Sequence, residues 1–162
     1  MQVCFIGHRT VERTEELILS LKETVVSLIN KGATTFLFGS KSEFDDLSWE
    51  VVTKLKEKYP FLKRVYVRAV YQDLDKAYEE YLLRSYEETY FPPRLKNAGR
   101  CSYVERNYEM IDSASYCVFY YNENYDACVK EKGHLSSKRK SGTKIAYKYA
   151  IKKKKKTINL YK

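Results

Sequence analysis

The 162-residue chain lacks most of what marks a membrane, secreted or metal-binding protein. No stretch approaches the roughly 18 consecutive apolar residues of a membrane span, so none is expected. The opening MQVCFIG lacks the basic start and the length of a signal peptide and reads as a strand. Four cysteines (Cys4, Cys101, Cys117 and Cys128) form no CxxC pair. A disulfide scaffold is therefore not expected, and a reducing cytoplasm is the simplest compartment. These cysteines and His134 also lack zinc spacing, so no metal site is expected. With only two histidines, no Ser/His/Asp or Cys/His set can be named, and the catalytic residues stay unassigned. Two phosphate fingerprints are missing as well. There is no G-x-x-x-x-G-K-[ST] and no G-x-G-x-x-G, which argues against an ATPase or an ordinary dehydrogenase.

What the chain does have is an ordinary globular composition, 44% apolar and 31% charged, with a formal charge of +9. The excess of cations points to anionic partners such as nucleotides or nucleic acid. Five of those charges are the run Lys152 to Lys156. Cations at a helix end complement its dipole, which is the plainer reading of that run. Sixteen tyrosines are unusual, and most are expected at core edges with a solvated hydroxyl.

Apolar patterning predicts strands at 2–7, 34–38, 62–69, 116–121 and 157–161. Between them, Thr14 caps a helix carrying Leu17, Leu21, Val25 and Leu28, and Ser42-Glu43-Phe44-Asp45 opens another. A third helix is expected over 73–84, followed by an irregular segment at 86–100. A fourth helix has Tyr103, Asn107, Met110, Ile111 and Ala114 on one face. Residues 122–140 are polar and aperiodic, long enough for a flexible loop or a lid. The stretch SGTKIAYKYA then opens the last helix. Alternation of this kind predicts an α/β, Rossmann-like three-layer fold in one domain, 1–162, with a mainly parallel sheet of about five strands.

Ligands of such sheets bind at the carboxyl ends of the strands. Here those ends read Gly7-His8-Arg9, Gly39-Ser40 and, after the long loop, Ser141-Gly142-Thr143. A helix N-terminus with free N–H groups favours phosphate or carboxylate, and Gly142 would let a ligand approach the backbone. Simple capping by Ser141 or Thr143 is the competing reading.

These turns, together with Glu105-Arg106-Asn107-Tyr108-Glu109-Met110-Ile111-Asp112, resemble the SLOG superfamily. That group includes the Lonely Guy phosphoribohydrolases, the DNA-processing protein A and the YpsA-like proteins. The likeness is strongest to the YpsA-like branch, where G-H-R and R-N-x-x-M-x-D recur. The resemblance implies a pocket for a nucleotide or nucleotide sugar, ADP-ribose-like or NAD-derived, in a sensor or regulatory module with no required cofactor. Gly7, His8, Arg9, Gly39, Ser40, Ser141, Gly142 and Thr143 would hold phosphates and ribose. Arg106 would add charge, and Phe44 or Tyr103 would stack on a base. Lonely Guy enzymes carry P-G-G-x-G-T-x-x-E, whose Glu aligns here with Ala146, so their N-glycosidic hydrolysis is in doubt. Asp45, Asp46 and Glu105 are the substitutes an enzyme reading would need. A nucleic-acid-binding module using the lysine run is the further alternative, and self-association is left open.

Overall fold

A computed structural model describes residues 1–39, 42–125 and 141–162. The elements follow in the order β1 (Gln2–Gly7), α1 (Glu15–Asn30), β2 (Thr35–Phe38), α2 (Glu43–Lys56), β3 (Lys63–Val67) and α3 (Lys76–Leu83). Then come β4 (Glu88–Tyr90), α4 (Ser102–Ser113), β5 (Tyr116–Tyr120), α5 (Gly142–Lys152) and β6 (Lys156–Asn159). The strands form one parallel sheet in the order β4-β3-β2-β1-β5-β6. This is a Rossmann-like α/β fold of three layers.

The layers follow from the pleat, which sends successive side chains to opposite faces. Val3 and Phe5 of β1 join Phe36, Phe38 and Val118 beneath α1 and α2, where Leu21, Val25, Leu28 and Val52 are fully buried. Cys4 and Ile6 join Leu37, Val65, Val67 and Phe119 beneath α4 and α5, against Met110, Ile111, Ala146 and Ala150. Both faces of the central strands are therefore apolar, as a covered parallel sheet requires. Crossovers through α1 and α2 lead toward β3, whereas those through α4 and α5 lead the other way on the opposite face. Reversing both direction and face preserves a single handedness.

Helix starts are set by side chains. Thr14 Oγ1 accepts from the Leu17 N–H at 3.1 Å, Ser42 Oγ from Asp45 at 3.2 Å and Asp75 Oδ1 from Tyr78 at 2.8 Å. The Asp75 cap is why α3 begins later than residue 73.

Two expectations are corrected. The segment at 86–100 is not irregular throughout: Glu88–Tyr90 pairs with β3, which brings the sheet of about five expected strands to six. This edge strand is pinned by charge rather than by apolar alternation. Glu87 accepts from Arg64 Nη2 at 2.7 Å and from the Arg64 backbone N–H at 2.6 Å, and Lys63 pairs with Glu88 at 2.6 Å. On α4 the buried face is Arg106, Met110 and Ile111, while Tyr103 is 54% exposed. The arginine can replace a tyrosine in the interior because its guanidinium reaches a strand-end carbonyl, described below.

Among the described residues no helix is long and apolar enough to cross a membrane. Residues 126–140, most of the expected loop, lie outside the described residues, as do Ser40, Cys128 and His134.

Candidate functional site

The chain leaves β1 toward β2 and leaves β5 toward β6, so the strand order reverses between these two neighbours. The crevice above their carboxyl ends is where open α/β sheets take ligands. Three groups meet there. Thr143 Oγ1 donates to the Gly7 carbonyl at 2.9 Å, fastening the first turn of α5 to the end of β1. The His8 N–H donates to the Tyr120 carbonyl at 3.3 Å, continuing the ladder one residue past β1. The Asn122 N–H donates to His8 Nε2 at 2.8 Å.

Nε2 faces both the N–H and the carbonyl of Asn122, so it accepts from the one or donates to the other according to the tautomer. His8 is 1% exposed, and among the described residues Nδ1 has no hydrogen-bond partner. Burial lowers the imidazole pKa, opposed by the Asn122 carbonyl 3.2 Å from Nε2. The ring stacks on Tyr125 with centroids 3.9 Å apart and lies 5.9 Å from Tyr121, which in turn stacks on Tyr147 at 4.6 Å. Tyr125 Oη also accepts from the Thr10 N–H at 3.4 Å.

The helices ending on this edge differ in what they offer an anion. The N-terminus of α2 is occupied by its own residues. Ser42 caps it, Glu43, Asp45 and Asp46 lie in its first turn, and Glu43 Oε2 accepts from the Val11 N–H at 2.8 Å. The N-terminus of α5 differs. Among the described residues Ser141 makes no capping bond, no acid lies in the first turn, and a side chain added at Gly142 would meet nothing within 4 Å. Its hydroxyl-bearing Thr143 is turned to Gly7. Lys144 adds a cation, with Nζ 3.7 Å from Glu123.

A second cluster occupies the ends of β2 and β3. Arg106 is 2% exposed, with Nη1 donating to the Val67 carbonyl at 3.3 Å and Nε to Asn107 Oδ1 at 3.1 Å. Burial weakens its hold on the proton, and the charge of Asp45 and then the phenols of Tyr66 and Tyr103 oppose that loss. Gly39 is glycine for a steric reason. An added Cβ would land on Arg106 Nη1 and 2.6 Å from the Val67 carbonyl oxygen. Tyr103 offers an exposed ring, 5.8 Å from the guanidinium carbon.

The remaining expected residues are placed as follows. Phe44 is fully buried, stacked on Tyr120 at 5.7 Å and lying 2.5 Å from where a Gly7 Cβ would be. It is part of the core, and no face of its ring is open to a base. Arg9 is exposed beside the crevice, its carbonyl accepting from Glu43 at 2.9 Å. Asp45 is buried near Arg106, and burial raises the pKa of Asp46. Glu105 is committed to Arg94 at 2.9 Å, in a surface network with Asp112. Ala146 is 1% exposed within the α4–α5 core, so no carboxylate enters the site from its position.

The aromatic cluster of Tyr121, Tyr125 and Tyr147 was missed in the sequence. The signal for two of these is the run YYNENY, which starts at the last residue of β5. Of two surface hollows, one of about 580 Å³ runs along α1, and one of about 140 Å³ lies between the start of α1 and residues 160–162, beside Tyr120 at the carboxyl end of β5. Among the described residues no group of His, Cys, Asp and Glu could hold a metal. No family model and no curated protein matches the chain.

Proposed function

We propose that the protein binds a nucleotide-derived ligand, ADP-ribose-like or NAD-derived, over the β1–β5 crevice, and acts as a sensor or regulatory module. The observation that carries this reading is the N-terminus of α5, which among the described residues has no side-chain cap and no acid in its first turn, tied to the end of β1 at the strand reversal. There the N–H groups of the first turn and the helix dipole favour a phosphate. The exposed cation of Arg9, which follows β1, would support ribose or a second phosphate, with the buried His8 ring behind it. The buried Arg106 supplies positive potential one strand further on, with Tyr103 as the exposed ring for a base. The same residues support membership of the SLOG superfamily in its YpsA-like branch. A cytoplasmic setting fits the free thiols of Cys4 and Cys117, neighbours on β1 and β5.

Binding without turnover is the expected chemistry. Cleaving an N-glycosidic bond requires support for an oxocarbenium-like charge and for the leaving group. The buried Ala146 provides neither. A ligand that binds only the folded state at 100 times its Kd stabilises by about 2.7 kcal/mol. For a chain of this size that raises Tm by roughly 5–11 °C. NAD, ADP-ribose, cyclic ADP-ribose and AMP should be screened by thermal denaturation, with adenine release followed by chromatography. A shift of this size with no adenine formed supports the reading. Steady adenine release, abolished by Asp45→Asn, would replace it with a phosphoribohydrolase.

A further inference from the structure

The opposite edge of the sheet carries a feature that the crevice does not use. There α5 ends and β6 begins in the run Lys152 to Lys156. Among the described residues Lys155 is the one of the five whose ammonium forms hydrogen bonds, with Nζ donating to the carbonyls of Asp112 at 2.7 Å and Ala114 at 3.1 Å, while Lys153 lies over the ring of Tyr149 at 5.4 Å. Lys152, Lys153, Lys154 and Lys156 are exposed, and none forms an ion pair among the described residues. Lys31, at the end of α1, joins them. Its Nζ and that of Lys156 lie 5.8 and 5.1 Å from the ring of Tyr116, which draws the two cations together. The nearby acids of α4 are already engaged, because Glu105 and Asp112 bind Arg94 at 2.9 Å and Glu109 lies 3.9 Å from it.

The backbone at this turn is an independent observation. The Lys155 N–H reaches the Ala150 carbonyl at 3.0 Å and the Lys154 N–H reaches Ile151 at 2.9 Å, the Schellman arrangement that ends a helix. Its left-handed position, where glycine is the usual occupant, is held by Lys154 with φ of 54°. A lysine thus stands where a side chain strains the backbone. Complementing the helix dipole does not require it, since Lys152 and Lys153 already sit at that end. The turn fans consecutive ammonium groups in different directions around one corner.

We propose that this corner, formed by Lys152, Lys153, Lys154 and Lys156 with Lys31 beside them at Tyr116, binds the phosphodiester backbone of a nucleic acid strand. It acts independently of the nucleotide crevice at the opposite edge. Unpaired lysines supply the counterion-releasing contacts that dominate such binding. A membrane surface fits less well. Interfacial elements bury an apolar face, and Ile151 is the one exposed large aliphatic on this turn.

Fluorescence anisotropy of the full chain with a labelled 20-nucleotide single strand tests this. Single strands contribute about −0.7 per neutralised phosphate to the slope of log K against log salt, so five contacts predict a slope of about −3 to −4. Changing Lys152, Lys153, Lys154 and Lys156 together to Gln should reduce it to about −1 or abolish binding, with Tm unchanged. Lys154→Gly should weaken binding while raising Tm by about 2–8 °C, because glycine relieves the left-handed residue. That opposition distinguishes a functional lysine from a merely tolerated one. Unchanged binding by the quadruple variant would overturn the proposal. So would equal affinity for polyglutamate, or binding to vesicles containing phosphatidylserine in preference to the oligonucleotide.

Discussion

At the residue scale, glycine positions that look alike in the sequence have opposite roles. Gly39 lies where a methyl group would strike Arg106 and the Val67 carbonyl, so Gly39→Ala should destabilise by roughly 1–3 kcal/mol in urea denaturation. An unchanged midpoint would mean that Arg106 can leave its buried place. Gly142 has no neighbour within 4 Å of an added Cβ among the described residues, and a substitution there is expected to burden a ligand rather than the fold. His8 adds a pH dependence. Burial lowers its folded pKa below the unfolded value of about 6.5. The stability it contributes is therefore complete above that value and is lost as pH falls toward the folded pKa. Between pH 8 and pH 5.5 the wild-type Tm should fall further than that of His8→Gln, and parallel curves would show that His8 does not titrate in that window. The turns at both glycines were legible from the sequence. Phe44 was not placed correctly, because an aromatic at a helix start looks the same whether it packs inward or faces a ligand.

At the element scale, β1, β2, β3, β5 and β6 were recognisable because their apolar runs are closed by glycines or charges. The edge strand β4 was not, since Glu-Thr-Tyr has no apolar period and follows from pairing to β3. Its anchor is electrostatic. Burial would raise the Glu87 pKa, but hydrogen bonds and charge from Arg64, together with Lys56, hold it below the ordinary carboxylate value. A depressed carboxylate stabilises above its unfolded pKa of about 4.5, and that support disappears as pH falls through the folded value. Glu87→Gln should accordingly speed amide exchange in 88–90 at pH 7, with the core of β1 unaffected. Equal protection in both proteins would place the anchor of β4 elsewhere. The face of α4 was misread for a related reason. Helical spacing identified Met110 and Ile111, yet nothing in a periodicity shows that a neighbouring arginine can be buried on a backbone carbonyl.

At the scale of the whole molecule, the two ends of the sheet are chemically distinct. One gathers a helix N-terminus with no acid in its first turn, a sealed imidazole and a buried guanidinium, and the other gathers exposed lysines. The strand order that creates the crevice follows from the alternation of helices and strands, but its β1–β5 location depends on which helix crosses which face. The central claim is that the first turn of α5 receives the phosphate of the ligand. Isothermal titration of ADP-ribose into the wild type and Gly142→Val tests it most directly, with the unliganded Tm of each as the control for folding. The account predicts one site in the wild type, the same unliganded Tm in both proteins, and binding at least about tenfold weaker in the variant, the loss of about 1.4 kcal/mol. Equal affinity in the two proteins, or no heat of binding in either, would contradict it.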